Sequence, residues 1–168
     1  MKTWFIRLVQ PVVQKNVFYD IILTIPRVIC GLALAISFGG SKFGMPWTPK
    51  ENELSLFQVA EWFPKDVAEF GGLFALAPGF FAWMGAASEA IGGVFLTLGL
   101  KTRVASFFIM CTMLVAIFFQ KWGDGLWGML PAFGFLWVSM YTLVLGSGRI
   151  GLDYPLGKYL ERRFLKKK

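Results

Sequence analysis

Histidine is absent from this 168-residue chain, cysteine occurs twice, and Asp, Glu, Lys and Arg together supply only 16% of the residues. Each shortage excludes something. Without histidine, zinc sites and haem ligation of the His-dependent kind are ruled out. Cys30 and Cys111 lie far apart in sequence and form no CxxC pair, so a dithiol redox motif is missing. Both fall in apolar segments, where a lone cysteine behaves as a small hydrophobe. No metal-ligating cluster and no catalytic set can be assembled. Soluble domains carry about 25% charged residues, so the deficit here points to a membrane protein.

What is plentiful agrees with that reading. Hydrophobic residues make up 56% of the chain, mean hydropathy is +0.59, and there are 18 Phe and 7 Trp. Four apolar segments, 21–38, 79–100, 104–119 and 126–145, come near the ~20 residues a helix needs to cross a bilayer. The expected fold is an all-α integral membrane protein, a four-transmembrane-helix bundle. Residues 1–19 place Trp4, Phe5, Leu8, Val9, Val12 and Val13 at helical spacing opposite Arg7, Gln10 and Gln14. That pattern predicts an N-terminal amphipathic interfacial helix. Because Gln10, Pro11, Gln14 and Lys15 interrupt the stretch after Lys2 and Arg7, no cleavable leader is expected. Three parts follow: the interfacial segment 1–19, a membrane domain 20–153 with a long outer connection 39–78, and a basic tail 154–168.

The net charge is +7, and its placement matters more than its size. Lys2, Arg7, Lys15, Arg27, Lys101, Arg103, Arg149, Lys158, Arg162, Arg163 and Lys166 to Lys168 lie on one side of the predicted spans, thirteen of the seventeen basic residues. The positive-inside rule then places both termini in the cytoplasm of a bacterial-type inner membrane. These residues cluster at the ends of apolar runs and form no stripe on a soluble fold, so the bilayer, not nucleic acid, is the expected partner. The 39–78 connection carries five acids and Trp47, Leu54, Phe57, Trp62, Phe63, Phe70 and Phe74. It predicts one or two short helices resting on the bundle or outer leaflet, with a docking surface as the functional alternative.

Charge inside the spans is the main functional signal, because an ionised group at mid-bilayer costs ~2.5–3.5 kcal/mol or more. Glu89 sits alone in the second segment. Gly85, Glu89, Gly92 and Gly93 share one helical face there, while Arg27, Gly31, Ala35 and Gly39 form a matching stripe in the first segment. Counting from the terminal side at 1.5 Å per residue puts Arg27 ~9 Å deep and Glu89 ~16 Å deep. A long Arg side chain spans that offset, so an Arg27–Glu89 ion pair is expected, with Lys42 joining the interior polar site. Three roles stay open for it: fixing helix register, binding a quinone head group or other small ligand, or relaying protons through Glu89. A second cluster, Arg103, Arg149 and Asp153, predicts a tie between the 101–103 link and the tail, with either arginine paired to Asp153.

These residues also form a pattern. Arg27 with Gly31, the 40–43 stretch Gly-Ser-Lys-Phe, the 88–93 run Ser-Glu-Ala-Ile-Gly-Gly, the 98–103 run Leu-Gly-Leu-Lys-Thr-Arg, and the 146–149 run Gly-Ser-Gly-Arg with Asp153 resemble the DoxX family of small four-span membrane proteins. The resemblance implies a four-helix membrane bundle. It also implies association with membrane redox complexes, the family name deriving from a thiosulfate:quinone oxidoreductase. Related four-helix proteins carry paired cysteines that this chain lacks. The expected function is therefore an accessory, non-catalytic subunit of an inner-membrane complex, assembled with other proteins or with itself. The alternative is a quinone-linked oxidoreductase subunit with quinone as cofactor and a pocket at Arg27 and Glu89.

Overall fold

A computed structural model describes residues 9–13 and 16–164. Four helices in it are long and apolar enough to cross a membrane: Val17–Gly39, Pro78–Leu98, Thr102–Gln120 and Trp122–Leu145. The first combines α1, Val17–Leu32, with a π-helical continuation, Ala33–Gly39. Helices α2, Trp62–Glu69, and α3, Gly72–Leu76, follow in the long connection. The second span is α4, Pro78–Leu98. The third joins α5, Thr102–Val115, to a π-helical end, Ala116–Gln120. The fourth is α6, Gly125–Leu145, entered through the 3₁₀ turn Trp122–Asp124. Helix α7, Asp153–Phe164, closes the described chain.

The span ends obey local chemistry. Asn16 caps α1 by accepting the Phe18 N–H at 2.9 Å, and Pro78 occupies the first turn of α4, where its missing N–H costs nothing. Gly99, at φ +65°, stops α4 in the left-handed conformation, two residues short of the 100 expected from hydropathy alone. The interfacial segment 1–19 lies mostly outside the described residues. Its last part, from Val17, belongs to the first span instead.

Two apolar clusters hold the bundle. Leu34, Leu96, Ile109, Met113, Ile117 and Leu136 fill its centre. Phe43, Phe63, Val67, Ala82, Ala86 and Ala90 bind the long connection to α4. Outward faces remain apolar: Ile29 is 60% exposed, Val144 67% and Trp137 70%. In water such faces would be aggregation sites, but on a spanning helix they face lipid. Small residues set the approach of span one to α4. A Cβ built on Gly93 would lie 2.7 Å from the Gly31 carbonyl oxygen, and one on Gly39 would meet the Ala90 backbone. The two stripes read in the sequence therefore do meet, running antiparallel: Gly31 beside Gly93 and Thr97, Ala35 beside Gly93, Gly39 beside Ala90. Gly92 packs on Ile109 of α5, and Gly85 faces Phe63 at ordinary contact distance.

Candidate functional site: a buried lysine–glutamate pair between two cavities

The antiparallel register decides which charges meet. Gly39 packs against Ala90, so the chain leaves span one level with Glu89. Three residues later Lys42 is held by its own backbone: its N–H donates to Gly39 O at 3.1 Å, and its carbonyl accepts the Ala60 N–H at 3.0 Å. An antiparallel bridge between Phe43 and Val59 continues this strap. Lys42 Nζ thereby reaches Glu89 Oε2 at 2.8 Å, with both side chains at least nine-tenths buried. The ammonium also lies 4.8 Å from the centroid of the Phe63 ring, a cation–π contact supplied by α2. Both π-helical stretches, a geometry that recurs at functional sites, end beside this pair.

The expected Arg27–Glu89 pair is not formed. The same register sets Arg27 against the end of α4, where its Nη1 donates to the carbonyls of Leu96 and Thr97, the latter at 3.0 Å. Leu96 is seven residues, about 10 Å, along the axis from Glu89. Arg27 thus caps the C-terminal carbonyls of a helix, where a cation also meets the favourable end of the macrodipole. It is 1% exposed, and its role in this structure is to join two spans.

The second predicted cluster is also re-sorted. Asp153 accepts the backbone N–H groups of Lys101 and Thr102 at 2.7 and 2.9 Å, capping α5 in place of an arginine partner. Arg149 pairs with Asp20 of α1 at 3.1 Å, and Arg103 Nη2 donates to Val144 O at 3.0 Å. The link and the tail are tied, as expected, but through amides and carbonyls. Cys30 and Cys111 are both free thiols. Cys30 packs beside the central core, while Cys111 is exposed on the lipid side of α5. Among the described residues no group of three or more His, Cys, Asp or Glu side chains stands together to hold a metal ion.

Two cavities meet at Lys42 and Glu89. The first, about 290 Å³, is walled by Phe63, Phe70, Phe74 and Phe81 and includes Cys111, Thr112 and Gln120. Phe119 reinforces its rim, its ring centroid 5.9 Å from Phe70 and 5.2 Å from Phe74. The second, about 170 Å³, is bounded by Phe38, Met113, Gln120, Lys121, Pro131 and Ala132. Phe63, Phe70 and Phe74 of the long connection thus turn inward as walls, while Trp47, Phe57 and Trp62 stay exposed. Thr112 and Gln120 carried a signal that sequence reading passed over: with Ala116 they recur every four residues, one polar-edged face of span three.

Four spans, a strap over their end and one ion pair sealed beneath it define a compact multi-pass membrane protein with an internal amphiphilic compartment. Within that class the chain belongs to the DoxX family, whose profile matches residues 22–122, more than half its length and including most of span one, the strap and Glu89. No curated protein and no solved structure matches the chain.

Proposed function

We propose that the protein is an accessory subunit of an inner-membrane redox complex, without catalytic groups of its own, that houses a quinone-class ligand in the aromatic cavity. The observation that carries this reading is the closed end of that cavity, an ammonium and a carboxylate in contact below four phenylalanine rings. Lys42 would donate to a ring carbonyl, and Glu89 would accept from the corresponding hydroxyl of the reduced form. About 290 Å³ sits at the lower edge of the ~300–1,000 Å³ usual for small-ligand pockets. That volume suits a substituted ring with its tail left outside. Cys111 both lines the cavity and is exposed on a spanning helix, which favours entry from lipid. No electron carrier is encoded by these residues, so a partner supplies the electrons. The charge distribution supports cytoplasmic termini, with residues 39–78 on the outer face.

A benzoquinone bearing a decyl tail, titrated into the purified chain in detergent, tests the reading. Saturable binding that weakens about tenfold or more in Lys42→Met is expected, the scale of one lost hydrogen bond to a charged donor. Absence of saturable binding, or equal binding by the variant, would overturn it.

A further inference from the structure

The second cavity differs in character from the first although both end on the same ion pair. It lies between the π-helical end of span three and the start of span four. Its outer edge is polar: Gln120 is part-exposed, and Lys121, its side chain 44% exposed, extends to Asp124 at 2.8 Å. Its floor is Lys42 and Glu89. Between apolar walls of Phe38, Met113 and Pro131, a polar mouth at the membrane edge and a charged floor enclose about 170 Å³, which gives water room and several polar partners at either end. The aromatic cavity instead opens past Cys111 on the lipid side.

We infer that the second cavity is an aqueous inlet from the face bearing residues 39–78, bringing water to Lys42 and Glu89 separately from the apolar compartment. The pair is then a partition between an oily chamber and a wet one. A π-helical turn serves this geometry, since it widens the helix locally and leaves carbonyls without their usual i+4 donors; here Lys121 N–H bonds back to Ala116 O at 2.8 Å. The inlet stands on the cavity geometry by itself, while its consequence rests on the proposed ligand. An oxygen of that ligand seated on Lys42 would be one side chain from exchangeable water.

Thiol accessibility tests the inlet. In a Cys30→Ala/Cys111→Ala background held in lipid nanodiscs, single cysteines are reacted with a charged thiosulfonate, whose sulfenyl sulfur is attacked by thiolate in water with loss of sulfinate and which does not partition into lipid. Ala132→Cys and Met113→Cys line only the second cavity and are expected to react. Leu114→Cys, on the lipid-facing side of the same helix, is expected to react about tenfold more slowly or less. Ala132→Leu, added to Met113→Cys, plugs the space and is expected to suppress its labelling. If both cavity cysteines react no faster than Leu114→Cys, or if the plug leaves Met113→Cys labelling unchanged, the inlet is overturned. Ala132→Cys, a small replacement, decides alone if the plugged variant fails to fold. Labelling without quinone binding overturns the ligand reading and leaves the inlet standing; binding without labelling does the reverse.

Discussion

Glu89 is costly where it stands, and Lys42 is what makes it tolerable. Removing one partner of a buried pair leaves an uncompensated charge, whereas removing both together can be close to neutral. Glu89→Gln is therefore expected to destabilise the bundle by about 3 kcal/mol, read as a lower thermal midpoint in detergent. The double variant Lys42→Met/Glu89→Leu is expected to recover most of that loss while still failing to bind the quinone probe. Recovery of binding along with stability would assign the pair to helix register alone. Arg27 illustrates the opposite case, a buried cation whose Nη1 is answered by backbone carbonyls, with no carboxylate in hydrogen-bond contact among the described residues.

At the scale of the elements, the seam between span one and α4 governs the site. Gly31, Gly93, Gly39 and Ala90 allow the backbones to touch, and their register sets the height at which Lys42 re-enters the bundle. Gly93→Ala is expected to cost about 1–3 kcal/mol through overpacking, because the added carbon meets backbone that cannot move aside. It is also expected to weaken quinone binding, although Gly93 borders neither cavity, because it shifts Lys42 relative to Glu89. A melting curve and a binding titration on the same preparation check both effects; destabilisation with unchanged affinity would separate the seam from the site. Hydrogen bonds between Ser88 and Thr112 at 2.6 Å, and between Ser106 and Thr142 at 2.7 Å, link the remaining spans in series.

Across the whole molecule, orientation and enclosure are joined. The long connection is a strap whose Phe43, Phe63 and Val67 are buried against α4, so it closes the site instead of offering those rings to a partner. If the termini are cytoplasmic, as proposed, Ser41→Cys, exposed beside the strap, should react in intact cells with an impermeant maleimide. Lys158→Cys on α7, also exposed, should react only after the membrane is breached. The reverse pattern would invert the topology and place the inlet on the cytoplasmic face.

Membrane residence, the number of spans and most of their limits were legible in the amino-acid sequence, because each depends on local runs of apolar residues measured against a fixed hydrocarbon thickness. The small-residue stripes were legible too, since 3.6-residue periodicity alone puts Gly31 with Ala35 and Glu89 with Gly93. Their antiparallel register was not. Matching depths from span ends placed Arg27 within reach of Glu89, yet contact of Gly39 with Ala90 moved that level to the far end of span one and gave Glu89 to Lys42. The inward turn of Phe63, Phe70 and Phe74 was equally hidden, as loop aromatics look alike in sequence whether they meet lipid, a partner or their own bundle. Periodicity reports which residues share a face; only the packed backbone fixes how far one face slides along another, and that displacement selected the pair and opened a cavity on either side of it.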